Sequence, residues 1–357
     1  MDFYKAEIGE PDFKKLLPEK VDWRDGVIVR STNWLGDACM TLPAVFKIKE
    51  LLPEGTPLHI LAPKNLKTFW QSFPWIGEVI ALDSKRASGN EKEAIRQLNC
   101  GAAIILPNSF GSALDLLFNK IPIRLGRGGR MRTAMLTHRL SQWKRVAGED
   151  KHHQLRESLQ ISAACGSKGW DDKYPPASPK VEKERLAEIE FDPSKNWLAL
   201  APGAKFGPAK QWPLEYYGKV AEEWLKKGGD VVIVGTPDER ETCEKVKTFA
   251  KGGLNLAGKT NLQELMYILG QVKCSVVNDS GAMHLSAAMG GQGVAVFGST
   301  DPRATGPLGG RWKVIWNRID CSPCLKKVCE IPGKDYDCLK GIQPEQVLQE
   351  LEDLESE

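Results

Sequence analysis

The chain lacks any long apolar run. The longest is about five residues, Ala102 to Leu106, against the roughly 20 that a membrane-spanning helix needs, so no such helix is expected. The start MDFYKAEIGEPDFKK has no apolar signal-peptide core, which predicts a cytoplasmic protein. Net charge is also nearly absent, at +3 over 357 residues. That excludes a chain-wide nucleic-acid surface and requires any basic site to be local. No G-x-G-x-x-G follows the first strand-like run of either half, so a dinucleotide pyrophosphate has no cradle and a Rossmann oxidoreductase is disfavoured. With 41% hydrophobic and 27% charged residues, the chain fits two globular domains and is too apolar for global disorder.

Nine cysteines without an export signal argue against a disulfide framework. Cys39, Cys100, Cys165, Cys243 and Cys274 lie mostly in apolar contexts and read as core. Cys321, Cys324, Cys329 and Cys338 instead follow the spacing C-x2-C-x4-C-x8-C, stiffened by Pro323 and Pro332. Four thiols this close in a reduced protein favour a closed structural site for zinc or iron; free thiols and disulfides are the competing readings. Asp335-Tyr336-Asp337 matches a DxD pattern, but it lies inside the cysteine cluster and not after a buried strand, so it reads as coincidence.

Strand-like runs alternate with amphipathic segments from Val27 onward: VIVR (27 to 30), LHILAP (58 to 63), GEVIALD (77 to 83), AAIILPN (102 to 108) and IRLG (123 to 126). A polar stretch with Pro175, Pro176 and Pro179 interrupts the rhythm. It then restarts with WLALAPG (197 to 203), DVVIVGT (230 to 236), NLAG (255 to 258), CSVVND (274 to 279) and GVAVFGS (293 to 299). The pattern predicts two α/β Rossmann-like domains facing across a cleft, with ligands beyond the carboxyl ends of the strands. The expected divisions are an N-terminal extension (1 to 22), domains at 23 to 180 and 181 to 342, and a C-terminal helix (343 to 357).

Three polar strand-end loops then carry the candidate chemistry. Asp37 falls where a helix begins. It is either an N-terminal charge favoured by the helix dipole or a general base for a sugar hydroxyl, with Gly36 beside it letting the acceptor approach. Lys205 and Lys210, in a loop constrained by glycines and prolines, could neutralise a diphosphate. Asp279 or Ser280 could cap the next helix, with Gly281 allowing close approach of an anion. His284, four residues beyond Ser280, shares its face and is assigned to binding or scaffolding. Between Lys120 and Glu157, ten basic residues face three acidic ones. Arg124, Arg127, Arg130 and Arg132 sit among glycines there and could hold phosphates or carboxylates of an acceptor, whereas nucleic acid is the weaker reading.

STNWLGD (31 to 37), FGPAKQWP (206 to 213), NDSGAMHLSAA (278 to 288), FGSTDP (297 to 302) and CSPCLKKVC (321 to 329), in this order, resemble the bacterial ADP-heptose:lipopolysaccharide heptosyltransferases of glycosyltransferase family nine. The resemblance implies a GT-B fold and inverting transfer from ADP-L-glycero-D-manno-heptose to the lipopolysaccharide inner core (Kdo or heptose on lipid A). It implies no catalytic metal, and action at the cytoplasmic face of the inner membrane. It further implies Asp37 as base, Lys210 on the donor phosphates, and Asp279, Ser280, Gly281 and His284 in the donor pocket. Lys205, Gly298 and Ser299 are placed with the donor set, and Asn33, Gly36, Arg124, Arg127 and Arg130 with the acceptor. The cysteine segment is also similar to the iron-binding motif of autotransporter heptosyltransferases, which keeps a protein acceptor as the alternative. A nucleotide-sugar-binding protein without transfer activity is the other. The first twenty residues have no counterpart in the family, and Ile121 to His153 matches it in basic character only. Oligomeric state is left open.

Overall fold

Continuous aliphatic stretches in this chain become strands buried on both faces, as parallel strands covered by helices must be. The computed structural model describes residues 15–129, 131–141 and 153–356. It divides between Ser178 and Pro179 into two units.

In the N-terminal unit the strands are β1 (Val27–Arg30), β2 (Leu58–Pro63), β3 (Val79–Leu82), β4 (Ala102–Ile105), β5 (Ile123–Arg127) and β6 (His138–Leu140). They form one parallel sheet in the order β3-β2-β1-β4-β5-β6. Val27 pairs with Leu58 on one side and Ala102 on the other, so the order reverses at β1 and β4. In a doubly wound sheet this switch point is where a crevice opens beyond the carboxyl ends. The last residues of the expected N-terminal extension are part of this unit: Leu16 and Leu17 donate their N–H groups to the Ala164 carbonyl at 2.8 and 3.3 Å, and the Leu17 side chain is buried.

The C-terminal unit repeats the plan with β7 (Trp197–Ala201), β8 (Asp230–Ile233), β9 (Leu254–Asn255), β10 (Cys274–Asn278), β11 (Gly293–Phe297) and β12 (Trp312–Trp316). Its order is β12-β11-β10-β7-β8-β9, again parallel, with the switch point between β7 and β10. The helix Pro344–Ser356 adds Val347, Leu351 and Leu354 to a core that includes Leu198, Leu200, Trp212, Val276 and Val296. The amphipathic helix Leu262–Gln271 starts at a capping box in which Asn261 and Glu264 bond each other's backbone N–H.

The expected strand-like runs overlap β1 to β5 and β7 to β11, although NLAG shares only Asn255 with β9. The structure adds β6 and β12, the two sheet edges that follow the last expected run of each half. Both are paired on one side only, and β12 is half-buried along its length, so neither needs the unbroken buried character of an inner strand. Among the described residues no helix is long and apolar enough to cross a membrane. The five scattered cysteines are all buried.

Candidate functional site

The polar turn after β1 is held from beneath. Arg30, the last residue of β1, is buried; its guanidinium donates to the Ser31 carbonyl and, at 2.9 Å, to the side-chain oxygen of Asn33. Burial pushes this guanidinium down to about 10, against the opposing pull of the Asp115 charge. Trp70 donates its indole N–H to the Ser31 hydroxyl at 2.9 Å. The turn then feeds the helix Leu35–Leu51, whose first turn holds Gly36 and Asp37. Trp34 occupies the cap position in extended conformation without bonding the helix through its side chain, and is 66% exposed.

Asp37 and Asn33 line a cavity of about 370 Å³, together with Thr32, Asn108, Arg127 and Glu157. These residues come from the ends of β1, β4 and β5 and from the helix Leu155–Cys165 and the residues just before it, which places the cavity at the switch point of the N-terminal sheet. Arg127 ends β5. It is buried and donates to the carbonyls of Ser141 and Glu157 and to the Gln160 side chain. Burial lowers its pKa, with the Glu157 charge acting in the opposite sense. Arg124 is at the amino end of the same strand; its guanidinium donates to the Met135 and Ile121 carbonyls and is absent from the cavity lining. Three residues of strand separate the two arginines, about 10 Å, and the odd spacing turns their side chains to opposite faces of the sheet. Arg132 is also buried, donating to the Arg127 carbonyl. Arg130 lies outside the described residues.

In the C-terminal unit, the loop after β7 folds against the ends of β10 and β11. Asn278, the last residue of β10, is the pin. Its amide donates to the carbonyls of Pro202 and Gly203 at 2.9 and 3.2 Å, and its oxygen accepts the Trp212 N–H at 3.0 Å. The Trp212 ring is buried and donates to the Ile342 carbonyl. Lys210, two residues earlier, is thereby held over β10, where its ammonium lies 2.6 Å from the Asp279 carboxylate; the two side chains are 14% and 4% exposed. The same carboxylate oxygen accepts hydroxyls from Thr300 at 2.7 Å and Thr305 at 3.3 Å.

Ser280 is the cap residue of the helix Gly281–Ala288, extended, with its hydroxyl bonded neither to that helix nor to any other group. Ser299, after β11, is 1% exposed and its hydroxyl likewise lacks a partner. Two such orphans beside an uncapped helix N-terminus are unusual, because buried polar groups are nearly always satisfied. An anion at that terminus would meet the Ser280 hydroxyl and the leading helix N–H groups. His284 is buried one turn along the same helix. Gly298 serves packing: a Cβ there would meet Leu339 at 2.6 Å, and its carbonyl accepts the Ser322 hydroxyl. Lys205 stands apart, 69% exposed and 3.5 Å from a still more exposed Asp238, a pairing worth little in water.

Asn278, Thr300 and Thr305 carried no role in the sequence reading. The available signal was a polar residue closing an apolar strand, VVN at 276 to 278. Asn278→Ala leaves the Gly203 carbonyl and the Trp212 N–H without their partner, and the Pro202 carbonyl with only the Gln211 side chain, so it should cost about 2 kcal/mol. Chemical denaturation reads that loss, and an unchanged midpoint would show the pin to be dispensable.

The structure does not bear out the metal site expected at the four cysteines. Among the described residues no group of three or more His, Cys, Asp or Glu side chains is placed to hold a metal ion. Cys338 belongs to the apolar core; burial, reinforced by the charges of the neighbouring Cys321, Cys324 and Cys329, pushes its thiol up to about 11. Cys329 bonds the Lys334 carbonyl instead.

Comparison with known proteins bears on these loops as a set. A family model described as glycosyltransferase family 9 (heptosyltransferase) matches residues 91–334. Lipopolysaccharide heptosyltransferase 2 of Salmonella typhimurium is 28% identical over 354 residues, covering 93% of this chain and 99% of that protein. Lipooligosaccharide heptosyltransferase 2 of Haemophilus influenzae is 26% identical, covering 92% and 99%. Among solved structures, ADP-heptose LPS heptosyltransferase II of E. coli superposes with a TM-score of 0.75 at 25% identity, covering 92% of this chain and 98% of that one.

Proposed function

The chain belongs to glycosyltransferase family 9, the heptosyltransferases, a two-Rossmann GT-B architecture, and from that premise we propose that it transfers heptose from ADP-L-glycero-D-manno-heptose to the lipopolysaccharide inner core with inversion. In this reading Asp37 accepts the proton of an acceptor hydroxyl as that oxygen attacks the anomeric carbon. The bond from that carbon to the phosphate oxygen breaks, and ADP leaves against Lys210 and the N-terminus of the helix Gly281–Ala288. A single displacement needs one base and one stabilised leaving group, and no enzyme nucleophile.

One observation carries the reading. A buried lysine held 2.6 Å from Asp279 and the partnerless hydroxyls of Ser280 and Ser299 follow three neighbouring strands of one sheet, β7, β10 and β11, the donor chemistry that a diphosphate recruits. On the other substrate's side, support comes from the cavity at the head of β1, where Asp37 and Asn33 meet Arg127, a combination suited to an anionic sugar. Arg124 and Lys205 are left out of this assignment. Work at the cytoplasmic face of the inner membrane follows from the acceptor.

Incubation with ADP-heptose and heptose-deficient lipopolysaccharide tests the proposal. Mass spectrometry should find one added heptose, and NMR of the product should find the opposite anomeric configuration to the donor's. No mass increase, or a retained configuration, would falsify it. Because Lys210 and the helix N-terminus meet the diphosphate charge, chelator-treated protein should turn over within about twofold of untreated protein. A loss restored by added Mg²⁺ would count against this division of labour.

A further inference from the structure

We propose that Lys327 is a second cation of the donor site, held beside Lys210 on the ring of Phe206. This rests on the reading of Lys210 as the diphosphate-binding lysine. Phe206 is 37% exposed, and two ammonium groups lie against it: Lys210 at 4.8 Å and Lys327 at 5.7 Å from the ring centroid. Both distances are within the range of attraction to an aromatic face.

The two lysines come from different segments, and the backbone between them is locked. The Ala209 N–H donates to the Lys327 carbonyl at 3.0 Å, and the Leu325 N–H to the Ser299 carbonyl at 2.8 Å. Gly207, at φ +146°, lets the chains approach, since a Cβ there would meet the Lys327 carbonyl oxygen at 2.5 Å. The cysteine-containing segment thus forms one wall of the loop that carries Lys210.

Charge accounting favours the assignment. Lys210 is already paired with Asp279, so that pair brings no net positive charge to an incoming diphosphate. Lys326, beside Lys327, lies 3.2 Å from Glu330. Lys327 is exposed and has no acidic partner among the described residues. Two cations sharing one ring repel each other unless an anion lies near both, and a departing nucleoside diphosphate is such an anion.

Calorimetric titration of ADP and of adenosine into the wild type, Lys327→Ala, Lys327→Arg and Lys210→Ala tests this. Lys327→Ala should weaken ADP roughly tenfold and leave adenosine unchanged, since only the phosphates are lost as partners. Lys327→Arg should recover most of the ADP affinity. If Lys327→Ala weakens adenosine as much as ADP, the residue merely supports the loop and the proposal fails. If Lys210→Ala weakens ADP while Lys327→Ala does not, Lys327 is outside the site although the donor reading stands. If neither lysine affects ADP, the donor reading fails and this inference with it.

Discussion

Replacing Asp37 by asparagine should lower kcat by about 10²- to 10⁴-fold, the contribution of a positioned general base, while ADP binding stays at the wild-type level. The substitution keeps the shape of the side chain and removes its charge together with its capacity to take a proton. Its alternative role is electrostatic. Asp37 lies in the first turn of Leu35–Leu51, where a negative charge favours the helix by roughly 0.3 to 1 kcal/mol. That loss shifts stability slightly and leaves the fold intact, so stability and turnover separate the two roles. A variant that unfolds slightly earlier yet turns over normally would assign Asp37 to the helix. Measuring ADP affinity alongside guards against a disturbed donor site, since ADP contacts only the C-terminal unit in this reading.

Lys210→Met should reduce kcat by roughly 10²- to 10³-fold, as expected when a fixed group opposite developing charge is removed. It should also destabilise the protein, because it strands a buried carboxylate. Asp279 is 4% exposed and would keep only the hydroxyls of Thr300 and Thr305. Breaking one side of such a pair costs about 3 to 5 kcal/mol, whereas removing both partners costs much less. The double variant Lys210→Met with Asp279→Asn should therefore regain most of the stability and none of the rate. Denaturation midpoints and single-turnover kinetics on the two variants read the two quantities independently. Recovery of rate in the double variant would mean that the ammonium is not what the leaving group needs.

The strands were legible because parallel strands are buried on both faces and so read as apolar runs: VIVR became β1 and GVAVF became β11. Edge strands escape that rule, which is why HRL at β6 was invisible and WKVIW at β12 was passed over. The site was legible to the extent that its chemistry is local. Asp37 at a helix start and Ser280-Gly281 after a buried strand are patterns of neighbouring residues. The four cysteines show the opposite case. Spacing counts thiols but not directions, and Cys338 points into a core shared with Leu339 and Ile342.

By itself the sequence determined two α/β units, three strand-end loops as candidates for the chemistry, and the residue types available there, because hydrophobic periodicity and helix starts are written over a few consecutive positions. Only the tertiary structure decided which groups meet. It set Asp279 against a lysine 69 residues earlier and left the Ser280 hydroxyl unbonded. It also consigned Arg124 to the amino end of its strand and brought Lys327 to the ring beside Lys210. Those outcomes depend on strand order and side-chain direction across distant segments, and no local pattern encodes them.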